Sequence, residues 1–106
     1  MIENRKFPRY NKRLEVRYSK IGIAPIESCT ITKNVSRTGV GLRLTRLVKK
    51  GDTLKLEFYP PATQNPPIQA IGKVIWTHEG GQFDLDAGLE FTRINPADAG
   101  KLVAVV

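Results

Sequence analysis

The sequence predicts a mainly β protein: a six-stranded antiparallel β-barrel with a flexible N-terminal arm and a short C-terminal helix. Three observations carry this expectation. Apolar residues recur at every second position in five separate stretches, which is the period of a half-buried strand. Turn-forming residues separate those stretches at short intervals, as they do in barrels and sandwiches. A helix-start signal appears once, at Asn95-Pro96.

The elements follow in order. Residues 1–13 lack periodicity and contain Pro8, which disfavours helical geometry at Phe7; they read as a flexible basic arm ahead of one barrel domain, residues 14–106. Leu14, Val16 and Tyr18 alternate with Glu15, Arg17 and Ser19 in a first strand. Residues 26–34, rich in Thr and Ile, form a second that runs into a polar turn at Asn34. Val40, Leu42 and Leu44 mark the third strand, and Leu54, Leu56 and Phe58, after the Lys50-Gly51-Asp52 turn, the fourth. Pro60-Pro61 and Pro66-Pro67 bracket a surface loop. Ile68, Ala70, Gly72, Val74 and Trp76 are expected on one face of a long fifth strand. His78-Glu79-Gly80-Gly81 reads as a hairpin connection whose glycines supply positive φ, and Leu85, Ala87, Leu89 and Phe91 line the sixth strand. From about residue 95 a helix begins: Asn95 caps it, Pro96 suits its first position and Asp98 its first turn, while Val105 and Val106 fall in a frayed end.

At 106 residues with 41% apolar content, one core and one domain are expected. No apolar run approaches the ~20 residues of a membrane span, and the polar N-terminus does not resemble a secretory signal. The single cysteine, Cys29, suits a reducing compartment, so a cytoplasmic location is expected. The net charge is +7, and residues 1–20 hold seven basic residues against two acidic ones. An anionic partner is the natural inference, with a solvated, solubilising arm as the ordinary alternative.

Two segments carry chemistry. Arg5-Lys6-Phe7-Pro8-Arg9 sets two guanidinium groups four residues apart on the arm, and Asn34-Val35-Ser36-Arg37-Thr38-Gly39 sets an amide, a hydroxyl and a glycine on a tight turn. Guanidinium forks match phosphates and the N7/O6 edge of guanine and also stack on purine faces. A polar turn offers backbone N–H groups and small donors to an anion. A ligand carrying both phosphates and guanines would use both halves.

The order and spacing of these residues resemble the PilZ domain family, whose pattern is Arg-x-x-x-Arg followed by Asp/Asn-x-Ser-x-x-Gly. The match falls on Arg5, Arg9, Asn34, Ser36 and Gly39, and continues into Gly39-Val40-Gly41-Leu42, Gly72-Lys73-Val74-Ile75-Trp76 and Ala87-Gly88-Leu89-Glu90-Phe91. One departure is Asn4, where many members carry a further arginine. The resemblance implies a small split-barrel receptor for the bacterial second messenger cyclic di-GMP, with no catalytic activity. Arg5 and Arg9 would then cross the ligand from the arm, Asn34 and Ser36 would meet a guanine and its neighbouring phosphate, and Gly39 would hold a backbone conformation that a Cβ would strain. Ligand would order the arm and change the surface shown to an unknown downstream protein.

Other residues are weighed against plainer roles. Lys6 and Arg37 could add phosphate contacts or simply face solvent. Trp76 is expected in the core, with a stacking surface beside a guanine as the sharper option. His78 reads as a loop histidine, Cys29 as a small strand residue, and Asp84 with Asp86 as surface charge. No metal-ligand cluster, nucleophile–base pair or phosphate loop marks an enzyme, and no cofactor or metal is implied. Two alternatives remain: a PilZ-like interaction module without ligand, and, less favoured, a small nucleic-acid-binding barrel. The second lacks a row of aromatics for stacking bases.

Overall fold

The computed structural model describes residues 9–22, 28–45, 48–60, 67–79 and 84–104. Six strands, β1 (Glu15–Lys20), β2 (Ser28–Val35), β3 (Gly39–Thr45), β4 (Thr53–Tyr59), β5 (Ile68–Glu79) and β6 (Asp84–Ile94), precede one helix, α1 (Pro96–Ala104). Every strand pairs antiparallel with its neighbours, and the sheet closes in the order β1-β2-β3-β6-β5-β4. Closure leaves no sheet edge to template aggregation. The expected proline loop and the Gly80-Gly81 connection fall largely outside the described residues, as do Arg5, Lys6, Val105 and Val106.

Period-two patterning builds the interior. Val16 and Tyr18 point inward from β1, Leu54, Leu56 and Phe58 from β4, and Ala87 and Leu89 from β6, all buried. Phe58 meets Phe91 edge to face at 6.0 Å between ring centroids, a favoured aromatic geometry. The helix covers part of this core with Ala99 and Leu102, and Asn95 caps it by accepting from the Ala97 N–H at 2.9 Å.

Two departures from strict alternation matter for the outer surface. Thr32 pairs with Leu42 but Asn34 with Gly41, so β2 carries one extra residue between Thr32 and Asn34. Val74 pairs with Leu89 but Trp76 with Gly88, so β5 carries another. Each bulge flips the face that later residues present. Trp76, expected on the inner face with Val74, is therefore turned outward and stands 42% exposed. His78 is corrected too: it lies within β5, paired with Asp86, rather than in a loop.

The described part of the arm, residues 9–13, is stitched to β2. Tyr10 and Val35 exchange both backbone hydrogen bonds, at 2.8 and 2.9 Å. The buried Thr32 hydroxyl donates to the Lys12 carbonyl at 2.6 Å and accepts from the Leu14 N–H at 2.8 Å. These bonds satisfy a polar side chain that would otherwise be costly to bury.

Candidate functional site

The turn after β2 is shaped by Ser36. This residue is buried, and its hydroxyl accepts from the Thr38 and Gly39 N–H groups at 3.2 and 3.1 Å. The Ser36 N–H donates to the Gly39 carbonyl at 2.9 Å, closing the turn. The Ser36 side chain therefore serves the backbone, as serine turns do. The Thr38 carbonyl accepts from the Phe91 N–H at 2.8 Å and pins the turn to β6.

Gly39 is needed for a reason different from the one expected. Among the described glycines only Gly22 and Gly51 have positive φ. A Cβ on Gly39 would instead stand 2.3 Å from the Leu89 carbonyl oxygen. The close approach of β3 to β6 excludes a side chain there; backbone strain is not the cause.

Asn34 faces outward because of the β2 bulge, and its Oδ1 accepts from Arg9 Nη1 at 2.7 Å. The second arginine of the arm motif and the first residue of the turn motif are thus in direct contact, although 25 positions apart. Arg37 does something else. Its guanidinium lies beside α1, 3.6–3.9 Å from where a Cβ on Gly100 would be. Lys12 reaches the same helix from the arm, donating to the Val103 carbonyl at 2.5 Å, a favourable place for a cation at a helix C-terminus.

Trp76 completes the outer face. Cross-strand pairing sets Asn34, Gly41, Gly88 and Trp76 in one row over β2, β3, β6 and β5. Directly paired residues point the same way, so the Asn34 amide and the Trp76 indole stand on the same outer surface as Arg9. The sequence alone missed this proximity, because both bulges had to be known before either residue could be assigned to that face.

Further along, Asp86 accepts ion pairs from Lys33 at 3.0 Å and Arg43 at 3.5 Å. The hydrogen bond from Lys33, helped by Arg43 and opposed by partial burial, holds its carboxyl below the usual range. Asp86 is a structural charge linking three strands, in keeping with the surface-charge reading. Among the described residues, no group of three or more His, Cys, Asp or Glu side chains could hold a metal ion, and no helix is long and apolar enough to cross a membrane.

A closed six-stranded antiparallel barrel with one C-terminal helix, and with Arg9 bonded to Asn34 ahead of the β2–β3 turn, defines a class of small β domains. The PilZ domain model matches residues 3–106, and the chain belongs to that family. No curated protein matches it in sequence. Among solved structures it is similar to the Bacillus subtilis inhibitor of motility MotI/DgrA, with a TM-score of 0.75 and 21% identity over 95% of this chain and 48% of that one. The chain thus spans about half of that protein's length. It is also similar to the PilZ domain of CeSA from a cellulose-synthesizing bacterium, with a TM-score of 0.68 and 13% identity over 91% of this chain and 94% of that one. The PilZ domain of Escherichia coli YcgR, solved with c-di-GMP, gives a TM-score of 0.67 and 13% identity over 95% and 87% of the two chains. At these identities the likeness is one of fold.

Proposed function

We propose that this chain is a non-catalytic receptor for cyclic di-GMP, binding it on the outer face where the arm crosses the Asn34–Gly39 turn. The observation that carries this reading is the 2.7 Å bond between Arg9 and Asn34. It joins the second arginine of the Arg-x-x-x-Arg pattern to the first residue of the Asn-x-Ser-x-x-Gly pattern, in a chain of the PilZ family. The YcgR relative solved with c-di-GMP adds support from a neighbour of the same fold.

The chemistry divides as follows. Arg9, with Arg5 from the segment outside the described residues, supplies guanidinium forks for phosphate and for the guanine edge or face, and Lys6 from the same segment adds a point charge for phosphate. Asn34 offers an amide to the guanine edge. Ser36 and Gly39 hold the turn so that the ligand approaches its backbone closely. Trp76 presents an aromatic surface at the far end of the row, and Arg37 sits where it can exchange its place beside α1 for a phosphate.

The output is a change of surface for a downstream protein. The helix α1 is met from both parts of the site: Lys12 on the arm bonds its Val103 carbonyl, and the Arg37 guanidinium on the turn lies beside Gly100. A ligand that redraws the arm or recruits Arg37 therefore alters how α1 is held. Only a difference in ligand affinity between the two arrangements can drive this.

Isothermal titration tests the reading. Arg9→Ala and Arg5→Ala should each weaken cyclic di-GMP binding by at least ~1.5 kcal/mol, the lower range for a hydrogen bond to a charged group. Unchanged affinity in both variants would remove the arm from the site.

A further inference from the structure

Two glycines lie in the middle of the outer row, where strands gain from a side chain. Glycine in a strand interior costs backbone entropy and packs nothing. Neither Gly41 nor Gly88 has the positive φ that would justify it. What they vacate is space. A Cβ on Gly88 would stand 2.0 Å from Trp76 Nε1, 2.3 Å from Cε2 and 2.8 Å from Cδ1. A Cβ on Gly41 would stand 2.9 Å from Asn34 Nδ2 and 3.0 Å from Oδ1. In both cases the nearest obstacle is a side chain from the next strand, whereas at Gly39 it is backbone.

Each large side chain therefore leans over its glycine neighbour, from opposite sides of the row. Gly41 and Gly88 are themselves cross-strand partners. Opposed Cβ positions stand about 4.5–5.5 Å apart, so the Asn34 amide and the pyrrole edge of Trp76 each crowd one of two adjacent side-chain positions. Without the glycines, Asn34 and Trp76 would stand upright three strand spacings apart.

Resting on the receptor reading above, we infer that Gly41 and Gly88 are positioning residues of the ligand site. By leaving their side-chain space empty they lay the Asn34 amide and the Trp76 indole side by side, as one surface for a planar purine base. The bulges in β2 and β5 turn those two side chains outward, and the glycines draw them together. Gly88 acts through Trp76, and Gly41 through Asn34.

Trp76 is the only tryptophan in the chain, so its emission reports on this surface with or without ligand. Gly88→Ala should change the Trp76 emission spectrum and weaken cyclic di-GMP binding at least tenfold, while far-ultraviolet circular dichroism stays that of a folded barrel. A double-mutant cycle with Trp76→Ala separates positioning from general damage. Once the indole is gone, Gly88→Ala should cost no further affinity. A further loss in the double variant overturns the inference, as does wild-type emission and affinity in Gly88→Ala. If Gly88→Ala does not fold, the Trp76→Ala/Gly88→Ala protein carries the test against Trp76→Ala alone. Wild-type protein that ignores cyclic di-GMP defeats the receptor reading instead, and the emission spectra still decide whether Gly88 sets the indole.

Discussion

Single residues at the turn show what sequence spacing reveals and what it hides. Ser36 was legible as a turn residue, because a serine hydroxyl two or three positions before free N–H groups has few better uses. Its burial was not legible, since the turn is pinned to Phe91 of β6 from far along the chain. Gly39 was identified as a required glycine on the wrong ground, because the Leu89 carbonyl that excludes a Cβ is fifty positions away. This gives a sharp expectation. Gly39→Ala forces β3 and β6 apart and should destabilise the fold by about 1–3 kcal/mol, the usual cost of overpacking. Urea denaturation measures it, and wild-type stability in this variant would contradict the contact.

At the scale of elements, alternation placed five strands, Thr and Ile content placed the second, and the capping signal placed the helix. Counting by twos fails at a bulge, because one extra residue inverts everything that follows. That is why Trp76 was expected inside and is found outside, and why Asn34 and Trp76 were not joined at the outset. The ties between elements were equally hidden. Lys12 meets Val103 across 91 positions, and Asp86 on β6 gathers Lys33 from β2 and Arg43 from β3. The Asp86 link has a pH signature. Its folded carboxyl titrates below the unfolded one, so its contribution is complete above the unfolded value, near pH 4, and disappears as the pH falls through the folded value. Asp86→Asn should therefore lose stability at pH 7 and show a shallower acid limb than wild type below about pH 4. Thermal melts across that range check the difference, and parallel acid limbs would contradict it.

The whole molecule joins a rigid closed sheet to a cationic entry segment. Closure of β1 onto β4 gives a scaffold that needs no partner chain to complete its hydrogen bonding. On the receptor reading, the excess of positive charge in residues 1–20 serves a small anionic dinucleotide. This distinguishes the receptor from a barrel that grips a polyanion. Contact with many phosphates makes affinity fall steeply with salt, whereas a ligand with two charges releases few counterions. The most direct test is a calorimetric titration of the wild-type chain with cyclic di-GMP at two salt concentrations, with GTP and a short RNA alongside. The account predicts saturable binding of cyclic di-GMP at micromolar protein, a shallow salt dependence, and no comparable heat from the other two. Silence toward cyclic di-GMP, or tighter and steeply salt-dependent binding of the RNA, would contradict it.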